Sequence, residues 1–216
     1  MVFYVLVGFF ILSVILVAYM GFHKEIIVER KQLERRYVLY REFQGNFVGE
    51  ITKLFSDFFK DLSNTFDRSS LTFGIYYDNP RVLVDSNKAR GVIGIYLNEN
   101  EVGKAQEFAA SHNDFKVKEL PECDAVRTTF PYRNRISFVW ATLKIYPALR
   151  NYIQGNRLVS AFDSQNVAYV ETYHWNGPNK HTEFAIPIGG NAQSYFLSTA
   201  PRPHSRLLLS AKKNDQ

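Results

Sequence analysis

Val2 to Phe22, VFYVLVGFFILSVILVAYMGF, carries no charged residue. A run like this constrains everything after it. In an apolar medium only a helix or a closed barrel satisfies its own backbone polar groups. At about 1.5 Å per residue the run reaches about 30 Å, the thickness of a bilayer hydrocarbon core. A cleaved signal peptide fits less well. No basic stretch precedes the run, it exceeds the usual apolar length of such signals, and no A-x-A-like site follows. The sequence therefore predicts a transmembrane anchor over residues 1–22, bounded by Val2 and Phe22. Lys24, Arg30, Lys31, Arg35 and Arg36 follow it. The positive-inside rule then predicts a cytosolic domain and a short lumenal N-terminus in the endoplasmic reticulum (ER) membrane.

Charge is unevenly placed. Residues 23–42 hold six basic and four acidic side chains, whereas residues 43–200 hold 16 of each. A domain with no basic excess is not expected to bind nucleic acid. The lone Cys123 excludes a disulfide framework and any multi-cysteine zinc site.

The pattern predicts a stalk over residues 23–35, one domain over 36–190, and a basic, mostly irregular tail over 191–216. Arg36 to Phe43 reads as a strand. Phe47 to Phe66 reads as a helix, with apolar residues recurring every three or four positions. Leu71 to Tyr77 and Ala89 to Leu97 read as strands. A polar helical excursion and a short strand, Phe115 to Leu120, follow. Asp124 to Tyr132 reads as a strand. Ile136 to Ile153 reads as a helix, with Ile136, Val139, Trp140, Leu143, Tyr146, Leu149 and Ile153 inward and a kink at Pro147. Val167 to Tyr173 and Glu183 to Ile188 read as a closing strand pair. Strand-helix-strand-strand thus occurs twice. It predicts an α+β domain with an antiparallel sheet, two helices on one face, and a groove between the halves.

The duplication resembles the GyrI-like domain. GIYYDNP at 74–80, TTFPYRNRISFVWATLKIYPALRNYI at 128–153 and VETYH at 170–174 further resemble a family of ER-phagy receptors built on that domain. The resemblance implies an ER-anchored adaptor or receptor rather than an enzyme, with no cofactor or metal. Its implied partners are ubiquitin-like autophagy modifiers and the valosin-containing AAA ATPase. The family's docking motif, an aromatic-x-x-aliphatic string in a long acidic tail, is not visible. The residues from Pro201 onward contain no aromatic side chain. Strings of that shape at Phe59–Leu62, Trp140–Leu143 and Tyr146–Leu149 lie on predicted helix stripes. Docking by strand addition needs an extended segment instead.

GyrI-like relatives also imply a membrane-tethered sensor or carrier of a hydrophobic or cationic small molecule. Glu171 matches the family's acidic position, and Tyr173, Trp140 and Tyr76 are the candidate aromatic walls. A carboxylate among π-faces suits an organic cation. A hydrolase using Glu171 is the weaker alternative. His174 and His181 flank a turn with no third metal ligand in view.

Overall fold

The computed structural model describes residues 2–19, 21, 24–46, 50–62, 65–66, 71–78, 83, 85–158 and 167–200. Its elements are α1 (Val2–Tyr19), β1 (Glu29–Leu33), β2 (Arg36–Gln44), α2 (Ile51–Leu62), β3 (Thr72–Tyr76), β4 (Arg90–Leu97), α3 (Val102–Ser111), β5 (Phe115–Leu120), β6 (Cys123–Pro131), α4 (Arg135–Gly155), β7 (Tyr169–His174) and β8 (His181–Pro187).

All eight strands join one antiparallel sheet in the order β1-β6-β8-β7-β3-β4-β2-β5. The two copies are β2-α2-β3-β4 and β6-α4-β7-β8. Each contributes three adjacent strands in the same internal order, and the copies meet where β3 pairs with β7. Strand alternation sends Leu39, Phe43, Tyr76 and Ile93 to the helix-covered face, where Phe58 and Leu62 of α2 pack on them. The second half does the same with Val126, Phe184 and Ile186 against Ile145, Leu149 and Ile153 of α4. The opposite face carries Val38, Phe73, Ile75, Val92 and Val170, covered by Tyr195 and Leu197.

The structure corrects several expectations. Among the described residues no helix is long and apolar enough to cross a membrane. α1 has 18 residues, a rise of about 27 Å, where a bilayer core asks for about 30 Å and about 20 residues. This overturns the transmembrane helix, the single-pass description and the ER-membrane location that rested on it. Phe22 lies outside the described residues. Residues 29–33, read as stalk, form an edge strand, because β6 offers a free ladder and Arg30 pairs with Asp124 at 2.6 Å. The packed body also runs past residue 190. Gly190–Tyr195 forms a 3₁₀ turn. Leu197 then donates its N–H to the Tyr77 hydroxyl at 2.9 Å. Residues 201–216 of the expected tail lie outside the described residues.

α4 is continuous through Pro147, and its inner row differs from the predicted one. Ala141, Ile145, Leu149 and Ile153 are buried, while Ile136, Val139 and Trp140 are exposed. The helix carries two apolar rows, and the sheet covers the row that includes Phe138 and Ala141. The helix ends with Arg157 at φ 54° and the Leu158 N–H bonded to the Ile153 carbonyl at 3.0 Å. Arg157 takes the left-handed position there.

Candidate functional site

The seam between the two copies holds a buried carboxyl cluster. In the β3–β7 pairing Glu171 lies opposite Gly74, and in the β7–β8 pairing it lies opposite Phe184. Its alternation with Val170 and Thr172 turns it toward the helices. Glu171 is only 2% exposed.

A buried carboxylate needs hydrogen-bond donors. Here they are tyrosines. Tyr146 of α4 donates its hydroxyl to Oε1 of Glu171. Tyr173, two residues along β7, donates to Oε2 at 2.7 Å. Because that proton is committed, the Tyr173 oxygen accepts from Tyr76 of β3 at 2.8 Å. The chain Tyr76–Tyr173–Glu171–Tyr146 therefore joins both copies. No ion pair to Glu171 forms among the described residues. Glu171 thus does not face solvent, and it pairs with no Lys or Arg among the described residues.

Burial pushes the Glu171 carboxyl up to about 7, against the two tyrosine hydrogen bonds, which favour the charged form. Burial, with the carboxylate close by, drives the hydroxyls of Tyr76, Tyr146 and Tyr173 well above the usual tyrosine range. They remain neutral donors at every physiological pH.

Aromatic rings lead from this cluster toward half-buried positions. Phe55 of α2 meets Tyr173 edge-on at 5.5 Å. Trp175 stands 4.7 Å from Tyr173 and stacks on Tyr132 at 4.4 Å. Phe138 lies 6.2 Å from Tyr173 and 6.4 Å from Trp175.

Of the four residues expected to form the groove, Glu171, Tyr173 and Tyr76 are brought together. Trp140 sits 39% exposed on α4, and Phe138 is the α4 aromatic that faces Tyr173. Sequence reasoning missed Tyr146 as a partner of Glu171. It was visible only as one more apolar position on a helix stripe, since nothing in the spacing marks which hydroxyl will meet a residue 25 positions away.

Other chemistry is quieter. The Cys123 thiol is buried, bonded to the Ile188 carbonyl at 3.3 Å and pushed up to about 11 by burial, so it is not a ready nucleophile. His174 and His181 stack across β7 and β8 at 4.3 Å. No group of three metal-ligating side chains occurs among the described residues.

No family model matches the chain. Human testis-expressed protein 264 is 28% identical over 157 residues, 71% of this chain and 48% of the human protein. The mouse homologue is 30% identical over 120 residues, 54% of this chain and 38% of the mouse protein. The chain is thus similar to testis-expressed protein 264 over 71% of its own length. It spans about half the length, or less, of the testis-expressed protein 264 sequences it matches. Among solved structures, the C-terminal domain of EcmrR superposes with a TM-score of 0.53 at 13% identity, covering 77% of this chain and 99% of that domain. An uncharacterised conserved protein from Listeria innocua gives 0.51 at 11% identity, covering 78% and 95%. At such identities these structures speak for the fold alone. That fold is the duplicated GyrI-like α+β half-barrel.

Proposed function

We propose that this chain is a non-catalytic binding module whose seam site takes a hydrophobic organic cation at Glu171. One observation carries the reading. Glu171 is buried, holds hydrogen bonds from two tyrosines, and has no cationic partner among the described residues. A buried carboxylate of this kind supplies a charge that a cation can match, and the surrounding π-faces supply the cation–π surface. The test is calorimetric titration of the full chain with benzyltrimethylammonium and with its neutral carbon isostere neopentylbenzene. Saturable binding of the cation, lost in Glu171→Gln and absent for the isostere, supports the reading. Equal binding of both compounds refutes it. Turnover of a reactive ester, lost in the same variant, would instead favour the hydrolase alternative.

A second reading rests on the similarity itself, which covers 71% of the chain. In it the domain is an adaptor for ubiquitin-like autophagy modifiers and for the valosin-containing AAA ATPase. The aromatic-x-x-aliphatic strings do not serve as its docking segments, because Phe59–Leu62 is helical in α2 and the two others are helical in α4. Binding of the full chain to immobilised autophagy modifiers, competed by an extended motif peptide, tests this reading.

A further inference from the structure

The tyrosine cage around Glu171 has a property that follows from its composition. Each hydroxyl both donates and accepts. Tyr146 and Tyr173 can therefore donate to a carboxylate, and either can turn its hydrogen away and accept from a carboxylic acid. The same hydroxyls can therefore bond Glu171 in either protonation state. A lysine or arginine partner would have held only the charged form.

The surroundings favour this exchange from every side. β3 presents Tyr76, β7 presents Tyr173 and α4 presents Tyr146, all neutral hydroxyls. β8 presents Phe184 and α2 presents Phe55. Beyond Tyr146 lies the Tyr169 ring at 4.9 Å, whose hydroxyl accepts from Arg150 at 2.9 Å. Arg150 is thus separated from the carboxyl by two tyrosines.

We propose that Glu171 exchanges its proton for the cationic ligand, so that binding of one monocation releases one proton to solvent. The inference rests on the cation-binding reading given above. The step balances: protonated Glu171 and a free cation become carboxylate, bound cation and a hydrated proton. On the acid side of its titration the seam then stays neutral with and without the cation, which is what burial of the site favours. It also makes cation affinity a function of pH.

The experiment is titration of the full chain with benzyltrimethylammonium between pH 5.5 and 8.5. It is run in phosphate and in Tris, whose ionisation heats differ. The permanent charge of this probe removes any titration of the ligand. Affinity is expected to rise about tenfold per pH unit on the acid side and to level off above about pH 7, where Glu171 is already ionised. On the acid side the two buffers should report release of one proton. Tyr146→Phe removes a donor to the charged form and should move the inflection to higher pH. Binding that is independent of pH, with no buffer-dependent heat, overturns proton exchange and leaves the cation-binding reading standing. No binding at any pH overturns both.

Discussion

Gly74 stands directly across from Glu171 in the β3–β7 pairing, at the seam between the two copies. A methyl group at Gly74 would come 2.7 Å from the Tyr76 hydroxyl and 3.0 Å from the Tyr173 hydroxyl. The glycine therefore leaves the space in which the hydroxyl chain sits. Gly74→Ala should cost about 1–3 kcal/mol by overpacking. It should also weaken cation binding more than a remote substitution of equal cost. Denaturant unfolding together with calorimetry checks both.

The raised Glu171 carboxyl makes a sign-specific statement about pH and stability. Between its ordinary value of 4.5 and about 7 the folded chain holds a proton that the unfolded chain has released. Stability from this group is therefore fully present below about pH 4.5 and is lost as pH rises through about 7. The loss is on the order of 3 kcal/mol. Urea unfolding of wild type and Glu171→Gln across this range should show the decline in the first and not in the second.

His174 pulls the other way. Burial, and then the stacked His181, lower its affinity for a proton, with Glu183 opposing. A depressed histidine contributes stability at higher pH that is lost as pH falls through its folded value. In a Glu171→Gln background the remaining slope of stability between pH 5 and 7 should thus turn upward with pH. Adding His174→Gln should flatten it. A slope that stays downward in Glu171→Gln contradicts both assignments.

Tyr146→Phe leaves one oxygen of Glu171 without its donor. The cost at pH 8 should be about 1–3 kcal/mol, because a buried charged acceptor is stripped. At pH 5 the carboxyl is neutral and the cost should shrink. Melting temperatures at the two pH values measure the difference.

Arg90 and Asp78 form a buried ion pair, 2.9 Å apart with side chains 11% and 5% exposed. Arg90 also donates to the Ala200 carbonyl at 3.2 Å, tying down the segment that covers the second face. Asp78→Ala should cost about 3–5 kcal/mol, since it leaves the guanidinium buried without its partner. A double substitution to apolar residues of similar volume should recover much of that loss.

Much of the architecture was legible in the residue pattern. Alternation within Arg36–Gln44 and the apolar period of Ile51–Leu62 mark a strand and a helix whatever surrounds them, because each element must bury one face. The repeat of strand-helix-strand-strand follows from the same local signals, whereas Glu171 became a candidate only through the resemblance to the GyrI-like domain. Three things were settled only by the packed chain. Residues 29–33 became a strand because β6 had a free edge, which no local propensity records. On α4 two apolar rows compete. The sheet chose the row with Phe138, Ala141 and Ile145, leaving Trp140 outside. The partners of Glu171 come from β7 and α4, and Tyr76 reaches it from β3. A carboxylate's protonation depends on which hydroxyls and how much protein surround it. Those are facts of three-dimensional packing, and a linear pattern does not contain them.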